Sequence, residues 1–314
     1  MYLKMNFIKP NFWDKKKLTL SAICLYPLTL FSEVYNFLRS LNSKKKYNIK
    51  TICIGNIYLG GTGKTPIVQY TAKLFKKKDK VILIKKAYKE HIDEKNILEK
   101  DFPVFFEKTR SKALEKAVLK KKKVAIFDDG LQDPRIHYDI KIVCFNANVL
   151  NGNNLLIPAG PLRENLNNLK KYDAVIVNGK KNDKFKIFEK KILEINPKLK
   201  IFSGSYHPKN FLRFQKDSYL AFCGIGNPNT FIDTLKKYKI KVKKYFLFPD
   251  HYVYNQKEID NLKKIAKKNK LQIITTEKDF CRLSKVQASK INFLKIEIKL
   301  KDSSSFKKFI FNNL

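Results

Sequence analysis

The stretch "TICIGNIYLGGTGKTP", residues 51–66, decides the fold. Its first half is a β-branched apolar run; its second is a glycine-rich turn ending in Lys64 and Thr65, where a helix is set to begin. Strand, glycine turn and helix in that order form a phosphate cradle. Glycines let backbone N–H groups turn towards phosphate oxygens, the lysine places a point charge at the β- and γ-phosphates, and the hydroxyl can hold Mg²⁺. The pattern GxxxxGK[ST] puts its first glycine at position 58, where this chain has Tyr58; that glycine serves chain geometry, and Gly60 and Gly61 can supply the turn instead. The expected nucleotide contacts are Tyr58, Leu59, Gly60, Gly61, Thr62, Gly63, Lys64 and Thr65.

Working outward, short β-branched runs alternate with helical stretches. "KTICIG" reads as a strand, 64–76 as a helix, "KVILI" as a strand, 111–121 as a helix and "KVAIFDD" as a strand. That alternation predicts an α/β fold with a doubly wound parallel sheet. It resumes after about residue 170 with "DAVIV", "KIFSG", "SYLAFCG", a helix from Asn229, "IKVKKYFLF", a helix from Gln256, "LQIITT" and "INFLKIEI". The expected organisation is an N-terminal segment over 1–46, a nucleotide-binding domain over 47–168 and a smaller α/β domain over 169–314.

The 314 residues suffice for one large or two ordinary α/β domains with proper cores. Sixty-six Lys and Arg against 28 Asp and Glu give a net charge of +38, which favours anionic partners. The excess is mostly lysine spread along the whole chain, without the aromatic and arginine interleaving of a nucleic-acid reader, so no nucleic-acid partner is expected. Cys24, Cys53, Cys144, Cys223 and Cys281 lack paired spacing and read as buried free thiols.

Residues 18–31, "LTLSAICLYPLTLF", are uncharged, preceded by Lys15 to Lys17 and followed, beyond an amphipathic "SEVYNFLRSL", by Lys44 to Lys46. A spanning helix needs about 20 apolar residues, and this run is shorter with Pro27 in its middle. A signal peptide needs a small-residue cleavage pattern that is missing. Two readings remain: a helical hairpin or kinked helix in the membrane interface, its lysines facing anionic head groups, and a soluble packing helix.

Other stretches carry chemistry. "VAIFDDGLQD" ends an apolar strand in Asp128 and Asp129, where phosphate-loop enzymes orient Mg²⁺. "FPDHY" holds His251, one of four histidines with His91, His137 and His207, and a candidate acid/base. Asp250 and His251, as neighbours in an extended chain, are expected to point apart. "IPAGPLRE" and "TTEKD" set charged groups in turns after apolar runs, where α/β folds place their sites. "GIGNPN" is a weak dinucleotide-type turn.

Taken in order and spacing, "IGNIYLGGTGKTP", "DDGLQ", "PAGPLRE", "DAVIVNG", "GIGNP", "FPDHY" and "TTEKD" resemble the tetraacyldisaccharide 4'-kinase family, the lipid A 4'-kinases of Gram-negative bacteria. In that family the first-glycine position of the loop is not held to glycine. The resemblance implies a P-loop kinase-type sheet domain, a smaller α/β domain and an N-terminal membrane-associated segment. It implies transfer of the ATP γ-phosphate to the 4'-hydroxyl of a tetraacylated glucosamine disaccharide 1-phosphate, with Mg²⁺, by a peripheral or monotopic monomer at the cytoplasmic face of the inner membrane. Carried over by motif, the catalytic residues are Lys64, Asp101, Asp128, Asp129 and His251. Thr65 and Asp128 are the metal ligands, Arg110 lies near the phosphates, and Gln132, Arg163 and Glu164 meet the substrate. The chain departs from the family at "KKAYK", with Lys86 where arginine is usual, at "KDFP", with Lys100 and Phe102 around Asp101, and at Asp133, which replaces a histidine. Alternatives are a P-loop GTPase switch, although "TEKD" lacks the asparagine and spacer of N-K-x-D, and a basic polyanion-binding protein.

Overall fold

The computed structural model describes residues 9–15, 17–88 and 92–314; Lys16, Lys89 and His91 lie outside them. Along this chain come α1 (Leu20–Ser40), β1 (Lys50–Gly55), α2 (Lys64–Lys73), β2 (Val81–Lys86), α3 (Ile92–Glu99), β3 (Val104–Glu107), α4 (Arg110–Leu119) and β4 (Val124–Asp128). Next are β5 (Ile140–Asn146), β6 (Ala174–Asn178), α5 (Asp183–Ile195), β7 (Lys200–Pro208), β8 (Ser218–Cys223), α6 (Pro228–Lys237) and β9 (Lys241–Leu247). The chain closes with α7 (Gln256–Lys268), β10 (Gln272–Thr276), α8 (Glu277–Phe280), α9 (Lys285–Ala288), β11 (Ile291–Leu294), β12 (Ile296–Leu300) and α10 (Ser303–Asn312).

Two compact units result, each with its own sheet. The larger contains Lys9–Ala87, Asp101–Ser205 and Ile298–Leu314, and its eight strands run β12-β7-β6-β5-β1-β4-β2-β3. β1 pairs in parallel with β4 on one side and β5 on the other. The crossover from β1 runs to β2 on the β4 side, and the chain passes to the other side only between β4 and β5, which makes the carboxyl end of β1 a switch point with a crevice beyond it. Ile52, Cys53 and Ile54 are fully buried, as expected for a parallel strand covered on both faces. Ala113, Leu114 and Ala117 of α4 pack with Ile82, Ile84 and Phe127. Phe185, Phe188 and Ile192 of α5 pack with Val143, Phe145, Val175 and Val177.

The boundary expected near residue 169 falls inside this sheet, because β5 and β6 on either side of it pair in parallel from Ile142–Ala174 to Asn146–Asn178. β6, β7 and the C-terminal α10 thus complete the first unit instead of starting the second. "INFLKIEI" is likewise two strands, not one. It breaks at Lys295, whose backbone N–H donates to Asn210 Oδ1 (3.0 Å) and whose carbonyl accepts from the Lys209 N–H (2.8 Å).

The smaller unit is built from the described part of 88–100 and from Tyr206–Glu297, around a parallel sheet ordered β11-β10-β8-β9. Alternation along β8 divides its core. Tyr219, Ala221 and Cys223 join Phe231 and Leu235 of α6, while Leu220 and Phe222 join Ile259, Leu262 and Ala266 of α7. α3 belongs here because Arg282 binds Asp93 Oδ2 through Nε (2.9 Å) and Nη2 (2.6 Å), and Lys278 pairs with Glu94.

α1 is one continuous helix through Pro27, not a hairpin, and the amphipathic stretch after the apolar run is its second half. Its burial runs against the usual pattern. Ala22, Leu25, Thr29, Ser32, Asn36 and Arg39, spaced three and four apart, form the covered stripe. Leu20, Ile23, Leu28, Leu30, Phe31, Val34, Phe37 and Leu38 are exposed. Cys24 shares that outward face, so it is exposed, and Cys281 is only partly covered; Cys53, Cys144 and Cys223 are buried as expected. Among the described residues no helix is long and apolar enough to cross a membrane.

Candidate active site

The site forms at the carboxyl ends of β1 and β4. β1 runs out at Gly55 into a loop whose backbone turns at Gly60 (φ 133°) and Gly63 (φ 83°), conformations that side chains resist. Gly63 caps α2 and delivers Lys64 and Thr65 as its first residues. The loop is held from outside: Asn178 Nδ2 donates to the Thr62 carbonyl (2.7 Å), and Asn56 Nδ2 donates to the carbonyl of Tyr58. Tyr58 is buried, its hydroxyl donating to Asp14 Oδ1 (2.6 Å) and accepting from Lys9 Nζ (2.6 Å). Burial and that carboxylate push the phenol far up from its ordinary value. Its ring packs with Leu156 and Leu162, so Tyr58 anchors the loop through its side chain. The Leu59 N–H donates to the Pro161 carbonyl (2.8 Å), which commits that group to the same anchoring.

The two acids at the end of β4 part company. Asp128 is buried, and its Oδ2 accepts from the Thr65 hydroxyl (3.1 Å) and from Lys85 Nζ (2.8 Å). Among the described residues its Oδ1 is buried without a hydrogen-bond partner. A lone carboxylate oxygen beside a threonine hydroxyl fits a hard, oxygen-seeking cation. Asp129 adopts the left-handed conformation (φ 66°), which aspartate tolerates, and turns into a ring of cations: Arg163 Nη1 at 3.1 Å and Lys64 Nζ at 3.6 Å from Oδ2. Burial alone would raise this carboxyl, but Lys64, Arg163, Arg110 and Lys85 together hold it well below the usual carboxylate range. Arg110 Nε donates to the Asp129 carbonyl (2.7 Å), and its Nη1 pairs with Asp133 Oδ2 (3.4 Å). The aspartate at the departed histidine position thus fixes the arginine, and Arg135 with it.

Gln132, Arg163 and Glu164 assemble on the same side. Gln132 Nε2 donates to the Asn56 carbonyl (3.0 Å) and to Glu164 Oε1 (2.6 Å), which also accepts from the Tyr172 hydroxyl, while Asn168 Nδ2 donates to Oε2. Glu164 is therefore a buried brace, and of the three it is Arg163 that faces the acids. Asn56 and Asn178, although inside quoted motifs, were given no role, and Lys85 and Asn146, whose Nδ2 reaches the Gly61 carbonyl (3.5 Å), were not singled out. Their signal is positional: each is a polar residue within one position of the carboxyl end of an apolar strand run.

Asp101 pairs with Lys73 (3.0 Å) in the larger unit. Phe102 beside it is buried in the core, and Lys86 stands at the end of β2. His251 belongs to the smaller unit and takes a left-handed conformation (φ 56°). The chain there is curled and not extended, so the neighbours do not point apart: the His251 N–H donates to Asp250 Oδ1 (3.0 Å), and Nε2 lies 3.8 Å from the same oxygen. Of the other histidines, His207 Nδ1 meets the Tyr238 hydroxyl (2.8 Å), and His137 is exposed.

"TTEKD" proves to be structural. Asp279 is fully buried, and its carboxylate accepts from the Gly224 N–H, the Tyr254 and Thr276 hydroxyls and Arg282. Closed to solvent, this carboxylate does not present itself to a guanine base. In "GIGNPN", Asn227 caps α6, and Pro228 is its first residue.

The family model described as tetraacyldisaccharide-1-P 4'-kinase matches residues 17–101 and 93–314. A tetraacyldisaccharide 4'-kinase of Pelagibacter ubique (strain HTCC1062) is 42% identical over 306 residues, 96% of each chain. One from Rickettsia akari (strain Hartford) is 33% identical over 327 residues, 98% of each chain. Among solved structures, LpxK from Aquifex aeolicus in complex with ATP is 26% identical with a TM-score of 0.71, over 93% of this chain and 99% of that one. The phosphate loop, the paired acids and these matches over almost the whole length lead to one statement: the chain belongs to the tetraacyldisaccharide-1-P 4'-kinase family and is an ATP-dependent 4'-kinase acting in lipid A biosynthesis.

Proposed function

We propose that the residues at the ends of β1 and β4 carry this transfer, on a tetraacylated glucosamine disaccharide 1-phosphate, at the cytoplasmic face of the bacterial inner membrane. The observation that supports it most is the meeting of Lys64, Thr65, Asp128 and Asp129 beyond the switch-point strand. The loop from Gly60 to Thr65 takes the nucleotide phosphates through backbone N–H groups and Lys64. Arg110 and Arg163, fixed on Asp129, add positive charge beside the transferring group. The Thr65 hydroxyl and Asp128 Oδ1 would hold Mg²⁺, which when bound supplies further neutralisation of phosphate charge.

The 4'-hydroxyl oxygen forms a bond to the γ-phosphorus as the bridging bond to the β-phosphate breaks and ADP departs. The family resemblance assigns the hydroxyl proton to His251 and the role of its paired acid to Asp101. What supports this pair is the family motif together with the strained backbone of His251, a feature concentrated at functional sites. The outward apolar face of α1 and the net charge of +38 support a peripheral seat on an anionic membrane surface. No nucleic-acid partner is involved, and the working form is a monomer. Transfer of label from γ-³²P-ATP to the disaccharide lipid tests the assignment: Lys64→Ala and His251→Ala each abolish it, and wild-type turnover in either variant sinks the mechanism.

A further inference from the structure

α1 is tied to the site through its polar stripe. The Ser32 hydroxyl donates to the Ile157 carbonyl (2.7 Å), Asn36 Nδ2 to the Arg163 carbonyl (2.8 Å) and Arg39 Nη2 to the Gln132 carbonyl (2.9 Å). These carbonyls lie in the two turns that frame Asp129. From Arg163 the path continues through its N–H to the Ile57 carbonyl (2.7 Å) and through Nη1 to Asp129. From Gln132 it continues to the Asn56 carbonyl, and Asn56 Oδ1 in turn accepts from Lys64 Nζ (3.0 Å). The Asn36 contact thus falls on a residue that itself holds Asp129, and the Arg39 contact on a residue that bonds Asn56, which holds Lys64.

An anchor needs only an apolar face. This helix also spends its covered stripe on hydrogen bonds to carbonyls of the catalytic turns, while its opposite face stays apolar and exposed. We infer that Asn36 and Arg39, supported by Ser32, are positioning residues that set Arg163 against Asp129, and that seating the outer face of α1 on an anionic lipid surface tightens this arrangement. The inference rests on the membrane-facing kinase reading and adds a link between lipid contact and the geometry of the acids.

The test uses the full chain carrying Asn36→Ala and Arg39→Met together. The expected result is a kcat lower by about 10- to 100-fold, the scale of small misplacements in a site, with KM for the lipid and binding to phosphatidylglycerol vesicles unchanged. Restoring Arg39 as Arg39→Lys recovers part of the kcat. Amide hydrogen exchange over residues 155–165 supplies a readout independent of phosphate transfer. Vesicles slow it in the wild type, and it is faster and insensitive to vesicles in the double variant. Should the wild type transfer no phosphate, the kinase reading fails while the exchange still decides the positioning link. Unchanged kcat with unchanged exchange overturns the inference, as does a loss of kcat matched by an equal loss of vesicle binding.

Discussion

Lys85 Nζ lies 2.8 Å from Asp128 Oδ2, with both side chains closed to solvent at 4% and 0% exposure. The pair links β2 to β4 directly under the phosphate loop, since the same oxygen accepts from Thr65. Removing one member of a buried ion pair strands the other charge, which costs about 3–5 kcal/mol, whereas removing both costs far less. Lys85→Met is therefore expected to lower the urea midpoint sharply, and Lys85→Met with Asp128→Leu to recover most of the loss. A single variant within about 1 kcal/mol of wild type would mean the pair is not sealed from water.

Asp129 gives the fold a pH dependence. Its carboxyl sits lower in the folded chain than the ordinary 3.8, owing to Lys64, Arg163, Arg110 and Lys85 acting against burial. The ionised form is thus favoured by folding. Its contribution is complete above the unfolded value and disappears as pH falls from there towards the folded one. Asp129→Asn, which tolerates the same left-handed backbone, is expected to be less stable than wild type at pH 7, the gap closing below roughly pH 4. Unfolding free energies from urea titrations across that range decide the point; a constant gap speaks against it.

Gly63 starts α2 at φ 83°. A side chain there costs about 1–2 kcal/mol in backbone strain, and relief of that strain would rotate the N–H groups of the loop away from the phosphates. Gly63→Ala is expected to weaken ATP binding by calorimetry while the helical circular dichroism stays as in the wild type.

Phe306 of α10 is fully buried against Tyr70 and Phe202. Phe306→Ala is expected to destabilise the larger unit by about 3–5 kcal/mol. Differential scanning calorimetry is the check, and the affected transition should be the one that ATP raises, because the phosphate loop lies in the same unit.

Local requirements were written in the sequence and could be read there. The glycines of "GGTGKT" satisfy a backbone geometry within six residues, and the apolar run before Asp128 and Asp129 fixes a strand end, so the parallel α/β class, the phosphate loop and the acids follow without distant contacts. Even Tyr58 was legible as a position that need not be glycine, although only its burial against Leu156, Leu162 and Asp14 explains what it does. The rest depended on residues far apart in the chain. The β5–β6 pairing, which moves the unit boundary, and the docking of α10 are long-range choices of strand neighbour and of buried surface. The division of labour between Asp128 and Asp129 is set by whether a carboxylate meets Thr65 and Lys85 or Lys64 and Arg163. Nor could the apolar run of 18–31 reveal that its helix turns polar side chains inward, because hydropathy records which residues are present, and only packing decides which face the carbonyls of two turns will claim.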